Sequence, residues 1–411
     1  MGTEHRTPVL YLGWWNEAAD SLARHDCDTT FVVGAHDAEA PAKHGFTGRV
    51  VVVPDATRVD DVVAGLMRAG IDVAEFDVVS TEYEECIVPA AVVANAYGKA
   101  GFPVPAAVAL RDKFVQKGLV RDAGLAVARC HTVVDIAELD LAATRAPFVV
   151  KPLAGAGTAL TYGVRDQASL DRARTAITES GKDGPWLVEE FVDGAELHVD
   201  GVVRDGAVTF LAVSRYLQNV IEIRHGALVG SVVVEPGTSP ALYARAHALT
   251  SAALKAFGHA DGVFHLEAFE QSDQLVFSEC AGRIGGGMVW ETTRAKFAVD
   301  LYDEWARAVL GRPSGLEPDR AHDPRPHGWV QLPARPGRVV SAPGLEDLLR
   351  QPGVVAAQVS VTPGQIVPDS TAASHFRAAR VVMTGETEAA LSDDMRRFAG
   401  WFAEQVVVEQ P

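Results

Sequence analysis

The chain has 411 residues, 48% hydrophobic and 22% charged, an ordinary globular balance with room for several domains or subdomains. Fifty-four acidic against 37 basic residues leave a net charge of −17, which argues against nucleic-acid binding but leaves room for a small basic phosphate pocket. Cys27, Cys86, Cys130 and Cys280 lie far apart, without the paired spacing of zinc sites or redox dithiols, and read as reduced structural thiols. Met1–Tyr11 has no long apolar stretch behind basic residues, and no run of about 20 apolar residues occurs anywhere, so a cytoplasmic protein without a membrane partner is expected.

Three short apolar runs, Val9–Leu12, Thr30–Val33 and Val50–Val53, alternate with helix-compatible stretches and predict a parallel α/β domain. A fourth strand, Val78–Ser80, leads through Glu82-Tyr83-Glu84-Glu85 into an alanine-rich helix near Val88–Tyr97. The domain closes near Pro103–Pro105. No glycine-rich dinucleotide fingerprint follows the first strand, where Gly13-Trp14-Trp15-Asn16 stands. Trp14, Trp15 and Asn16 read as core packing or cleft lining. Arg111–Ala123 reads as an amphipathic helix with Phe114, Leu119 and Val120 inward and Gly124 as its stop.

From Phe148 to Gly163 the pattern is strand, small-residue loop, strand. A second such pair covers Trp186–Phe191 and Glu196–Val203, so both predict antiparallel hairpins. A helix near Ala241–Phe257 follows, then strands Val263–Phe269 and Leu275–Glu279 around the turn Gln271-Ser272-Asp273, then one helix from Glu291 to Leu310. Pro313–Pro326 is the best linker candidate. The tail predicts a small α+β unit: strands at Trp329–Leu332, Ala356–Val361 and Ala378–Met383, and helices at Gly344–Leu349 and Leu391–Phe402.

Three segments carry chemistry. Phe148-Val149-Val150-Lys151 ends a strand on a lysine, and the small-residue loop Gly155-Ala156-Gly157-Thr158 lets main-chain N–H groups approach the same phosphate oxygens. It is not a Walker A loop, because no glycine-lysine-serine or -threonine closes it. Leu187-Val188-Glu189-Glu190-Phe191-Val192 offers acceptor, donor and apolar faces to an adenine, and Glu196 a carboxylate to ribose hydroxyls. In the third, Glu267 and Glu279 lie on adjacent strands whose short turn lets them pair across the ladder. Two like charges so close would repel, and a hard divalent cation bound jointly with phosphates resolves the repulsion. Arg283, followed by Gly285, Gly286 and Gly287, can stabilise charge on an acyl phosphate or tetrahedral intermediate. The plainer alternative makes the two glutamates outward-facing and Arg283 their ion-pair partner.

Together these residues resemble the ATP-grasp superfamily over roughly Glu82 to Leu310, and more closely its L-amino-acid ligase and carnosine-synthase-like branch. The run Arg111-Asp112-Lys113 and the pattern Glu279-x-x-x-Arg283-x-Gly285-Gly286 carry the likeness. The fold this implies is mixed α/β and α+β, in four parts. An N-terminal parallel α/β domain (residues 1–106) precedes a central nucleotide-binding ATP-grasp subdomain with the phosphate loop (107–192). A C-terminal catalytic ATP-grasp subdomain with the metal site (193–322) and a small α+β extension (323–411) follow.

The resemblance also implies roles. Lys113 and Lys151 contact ATP phosphates with Gly155, Gly157 and Thr158; Glu189, Glu190 and Val192 form the adenine hinge; Glu196 holds the ribose. Glu267 and Glu279 bind Mg²⁺, with Mn²⁺ as its alternative, and Arg283 and Glu279 are the catalytic pair. The implied reaction transfers a phosphoryl group from ATP to a small-molecule carboxylate, and an amine attacks the acyl phosphate. For the substrates, Glu82 offers to recognise an amino group, Arg224 to pair a carboxylate and His225 to orient or deprotonate an amine, beside Gly285 and Gly286. Two departures stand out: Ala281 replaces an asparagine that often completes the metal site, and Gly287 a tryptophan found in dipeptide-forming relatives. A homodimer is expected on symmetry grounds. Three other readings are activation of bicarbonate or formate, a nucleotide-binding protein without turnover, and a carboxylate-pair hydrolase; the last leaves both lysines and the glycine loop unexplained.

Overall fold

The computed structural model describes residues 6–155, 159–225, 228–317, 320–367 and 377–409, apart from the side chains of 223–225. Strands β1 (Thr7–Leu12), β2 (Cys27–Gly34), β3 (Val50–Val53) and β4 (Val78–Ser80) form a parallel sheet in the order β3-β2-β1-β4. Parallel neighbours need crossovers, and the helices Asn16–Arg24 and Val59–Arg68 lie on two of them. Where a dinucleotide fingerprint would begin, Gly13 has φ +87°, and a Cβ there would sit 2.8 Å from Tyr83 Cβ. That glycine answers to packing.

Strands β5 (Cys130–Val133), β6 (Phe148–Pro152), β7 (Tyr162–Val164) and β8 (Trp186–Glu190) make an antiparallel sheet in the order β5-β8-β6-β7. Leu170, Ala173 and Ile177 of the helix Gln167–Ser180 pack against its apolar face. The largest sheet has eight strands in the order β13-β12-β9-β10-β11-β14-β18-β16. They are β9 (Ala195–Arg204), β10 (Ala207–Tyr216), β11 (Gly230–Val233), β12 (Gly262–Gln271), β13 (Gln274–Ala281), β14 (His327–Leu332), β16 (Val354–Val359) and β18 (Ala379–Thr384). A short sheet of β15 (Gly337–Ser341), β17 (Ile366–Val367) and β19 (Val407–Glu409) completes the chain. The helix Pro240–Phe257 covers the large sheet through Leu242, Ala246, Ala253 and Phe257. All four cysteines are free.

Four expectations change. Trp186–Glu190 and Ala195–Arg204 are strands as predicted but no hairpin: β8 pairs with β5 and β6, whereas β9 pairs with β10 and β12. The connection crosses between sheets, and at Gly194 it runs so close to β12 that a Cβ would lie 2.6 Å from Glu270 O. The single helix from Glu291 to Leu310 is two, Val289–Phe297 and Leu301–Val309. Ala298 turns left-handed at φ +53°, and Asp300 restarts the helix by accepting from the N–H groups of Tyr302 and Asp303. Phe114 is 40% exposed, because the inward face of its helix carries Lys113, Gln116, Lys117 and Val120 instead. The strands β14, β16 and β18 of the tail extend the large sheet, so the α+β extension shares that sheet with the part of the chain before it.

Candidate active site

The helix Lys113–Asp122 is capped by Asp112, whose carboxylate accepts from Phe114 N and Val115 N. That cap sets Lys113 and Lys117, one turn apart, on the face toward β13. The Lys113 ammonium donates to Gly155 O at 2.9 Å and lies 3.2 Å from Glu279; Lys117 donates to Ser278 O at 2.8 Å. Lys151 ends the buried run of β6 and sits 2.7 Å from Glu189, which also pairs with Lys117 at 2.8 Å. Burial alone would push Glu189 up, but the two lysines hold it below the usual carboxylate range. Burial lowers Lys117, whereas the charges of Glu189 and Glu279 outweigh burial and raise Lys151.

Glu267 and Glu279 stand opposite each other in the β12–β13 ladder, with a bulge immediately after Glu267. Such bulges re-aim side chains beside active sites. Lys113 and Lys151 overcome burial and hold Glu279 at about 2. Glu196 accepts from Val220 N at 2.6 Å; burial first, then the charge of Glu267, raises it well above its ordinary value. Three carboxylates therefore converge beside Lys113 and Lys151. Oxygen-only donors of this kind fit a hard divalent cation such as Mg²⁺.

Glu267 is held from behind. Tyr216 OH donates to its Oε1 at 2.9 Å, and His265 Nε2 lies 3.5 Å from the same oxygen. His265 Nδ1 is 2.8 Å from Asp200, which also meets His198 at 2.5 Å, and His198 reaches Ser231 at 2.7 Å. Asp200 more than offsets burial and raises His265 to about 10. A Cβ at Gly285 would fall 2.5 Å from Asp200 Oδ1, so a glycine there lets the chain pass this cluster.

Arg283 does not pair with Glu267 or Glu279. Its Nε donates to Glu84 at 2.7 Å, and Arg111 meets the other oxygen of Glu84 at 3.0 Å. Arg111 also donates to Ala154 O and Gly155 O, so Glu84 ties the segment after β6 to Arg283.

One cleft is lined by Lys113, Lys151, Gly155, Glu189, Glu190, Val192, Glu196, Glu267 and Glu279. The Glu190 carboxylate is turned to exposed Arg129, so its main chain is what remains for a ligand. A second cleft, sharing Glu267, Val220 and Ala159 with the first, holds Arg283, Gly285 and Gly286. Glu82 lines neither: it is 5% exposed and accepts from Ile284 N. The stretch Ser214–Glu235 that carries Arg224 and His225 begins in β10, passes through a short helical turn at Val220–His225 and ends just past β11, and Arg215 is paired with Glu270. Gly157 and Thr158 lie outside the described residues, as do the side chains of Arg224 and His225.

Sequence reasoning missed Glu84, Arg111, Lys117 and Tyr216 as parts of this site. Arg111 and Glu84 stood inside segments already singled out; a lone lysine such as Lys117 on a helix carries no signal.

The sequence matches the ATP-grasp domain family over residues 118–291 and L-amino acid ligase C-terminal domain 2 over 330–400. It is 25% identical over 359 residues to an L-arginine-specific L-amino acid ligase of Bacillus subtilis, covering 85% of this chain and 84% of that one. In structure it resembles an L-amino acid ligase from Bacillus licheniformis, with TM-score 0.79 and 18% identity over 99% of this chain and 100% of that one. It also resembles a carboxyaminoimidazole ribonucleotide synthase from Aspergillus clavatus complexed with ATP, with TM-score 0.73 and 19% identity over 98% and 99% of the two chains. The chain thus carries an ATP-grasp domain followed by an L-amino acid ligase C-terminal domain. By class it is an ATP-dependent, ADP-forming carboxylate–amine ligase. Among the described residues no helix is long and apolar enough to cross a membrane.

Proposed function

We propose that the chain joins an amino acid, or a similar carboxylate, to the amine of another amino acid, forming a dipeptide or amide through an acyl phosphate. What supports this reading is the single cleft in which two buried lysines meet three converging carboxylates, opening onto a second cleft that contains Arg283. In it, Lys113 and Lys151 hold the ATP phosphates, with Gly155, Gly157 and Thr158 as further phosphate contacts. Glu189 and the main chain of Glu190 and Val192 meet the adenine, and Glu196 the ribose. Glu267 and Glu279 would hold Mg²⁺, which when bound offsets phosphate charge and polarises the γ-phosphoryl group.

A carboxylate oxygen attacks the γ-phosphorus, the bond to the β-phosphate oxygen breaks, and ADP leaves. The amine nitrogen then attacks the acyl carbon, phosphate leaves with the former carboxylate oxygen, and the nitrogen loses a proton. Arg283, held by Glu84, faces the oxygens on which charge develops. Arg224, His225, Gly285 and Gly286 border the substrates. Four units with bounds at 106, 192 and 322 remain our reading of the domain plan, as do a cytoplasmic location and a homodimer.

A screen of amino-acid pairs for ADP and phosphate release, with mass spectrometry of the products, tests the reading. Phosphate should appear only when carboxylate and amine are both present, alongside a new amide mass. AMP and pyrophosphate, or turnover with bicarbonate in place of an amino acid, would refute it.

A further inference from the structure

The second cleft is roofed by the strands that β14, β16 and β18 add to the large sheet. Arg380 stands in register with Gln331 on β14 and with Gln358 on β16, so three long polar side chains form one row across three otherwise mostly apolar strands. All three line the cleft, together with Trp329, Glu291 and Arg283. Buried polar atoms normally find partners, yet three in or beside this row do not. Gln358 donates to Glu291 at 2.7 Å, but Arg380 Nε, Trp329 Nε1 and Gln331 Oε1 are buried without a hydrogen-bond partner. Trp329 is only 4% exposed.

Charge points the same way. Among the described residues Arg380 makes no ion pair within 4.0 Å; its nearest polar contact is a long donation to Gly287 O at 3.4 Å. Glu291 feels its charge without pairing with it. Arg380 also adds to the burial that lowers Arg377, so two guanidinium groups share this region. A guanidinium in the cleft wall without an ion-pair partner among the described residues complements a carboxylate, and Glu291 in the same wall complements an amino group. Arg380 donates to Gly287 O and Arg283 precedes the same glycine run, and both guanidinium groups line this one cleft.

We propose that Arg380, with Trp329 and Gln331, holds the free carboxylate and amino end of the amine-donating substrate, so that the acceptor must be an amino acid and not a simple amine. This deepens the proposed function and rests on it. In the same role Arg380 is a binding residue for the acceptor and takes no part in activating the first carboxylate.

The test compares free L-amino acids with their α-amides as acceptors, for wild type, Arg380→Gln and Arg380→Lys, reading amide mass, ADP and the separate KM values. Wild type should use the free acids and use the α-amides poorly. Arg380→Gln should raise the acceptor KM by about tenfold to a hundredfold, with the KM values of ATP and of the activated carboxylate unchanged. Its poor use of α-amides should not change further, and Arg380→Lys should recover part of the loss, which a variant that merely misfolds cannot do. Equal use of acids and α-amides by wild type would overturn the proposal, as would a parallel loss on both acceptors or a raised KM for the activated carboxylate. If ADP forms with an amide product but without acid-over-amide preference, only the acceptor assignment fails; if no amide forms with any acceptor, the ligase reading fails and takes this assignment with it.

Discussion

The indole of Trp329 fills the space that a side chain at residue 287 would need: a Cβ on Gly287 would lie 2.4 Å from Trp329 Cη2. The glycine that stands where dipeptide-forming relatives can carry a tryptophan therefore does not leave a hole. An indole from β14 fills the space beside it. Gly287 also has φ +73°, a conformation that side chains resist.

Gly287→Ala should accordingly cost about 1 kcal/mol or more, from backbone strain and from displacing the ring. In a Trp329→Ala background the ring part disappears, so the second substitution should cost less than the first alone. Urea unfolding of the four proteins measures this coupling.

Lys117 is 1% exposed and shares Glu189 with Lys151. Lys117→Met should destabilise by up to about 3 kcal/mol, below the full cost of an orphaned buried charge because Lys151 still pairs with Glu189. Chemical denaturation checks it. The loss should grow as pH rises above the carboxylate range and shrink in acid, since Glu189 is held low by both lysines and its stabilisation disappears as it protonates.

Much of this site was legible in the sequence because it depends on local pattern. Period-two alternation and a short polar turn put Glu267 opposite Glu279, and the end of an apolar run put Lys151 in the wall of the same cleft. What escaped depends on long-range pairing. Nothing near Trp186–Glu190 says that the next strand joins another sheet, and nothing in the tail says that Arg380 will line a cleft with Arg283. Glu84 was indistinguishable from Glu82 and Glu85 until the fold turned it toward two arginines.

Glu82 supplies a pH signature. Burial raises it from an ordinary 4.5 to about 8, against the donation from Ile284 N and the charge of Arg283; Glu17 and Glu84 push it further up. A raised carboxyl makes the folded state bind the extra proton, so stability is fully present below pH 4.5 and falls as pH rises toward 8. Glu82→Gln keeps an acceptor for Ile284 N and cannot ionise. Its advantage over wild type should grow across that window by at most about 1.4 kcal/mol per pH unit, read from melting temperatures.

Glu279→Gln and Arg283→Ala should each abolish turnover, while Lys151→Ala weakens ATP binding more than either. Calorimetric titration with ATP, run beside the activity assay, separates the two effects. Wild-type turnover by Arg283→Ala would remove its assigned role.

Carboxylate activation by phosphoryl transfer is tested most directly with a carboxylate substrate labelled with oxygen-18. Each amide formed should release ADP and one inorganic phosphate carrying a single heavy oxygen taken from the carboxylate. Unlabelled phosphate, or label recovered in AMP, would contradict the acyl phosphate.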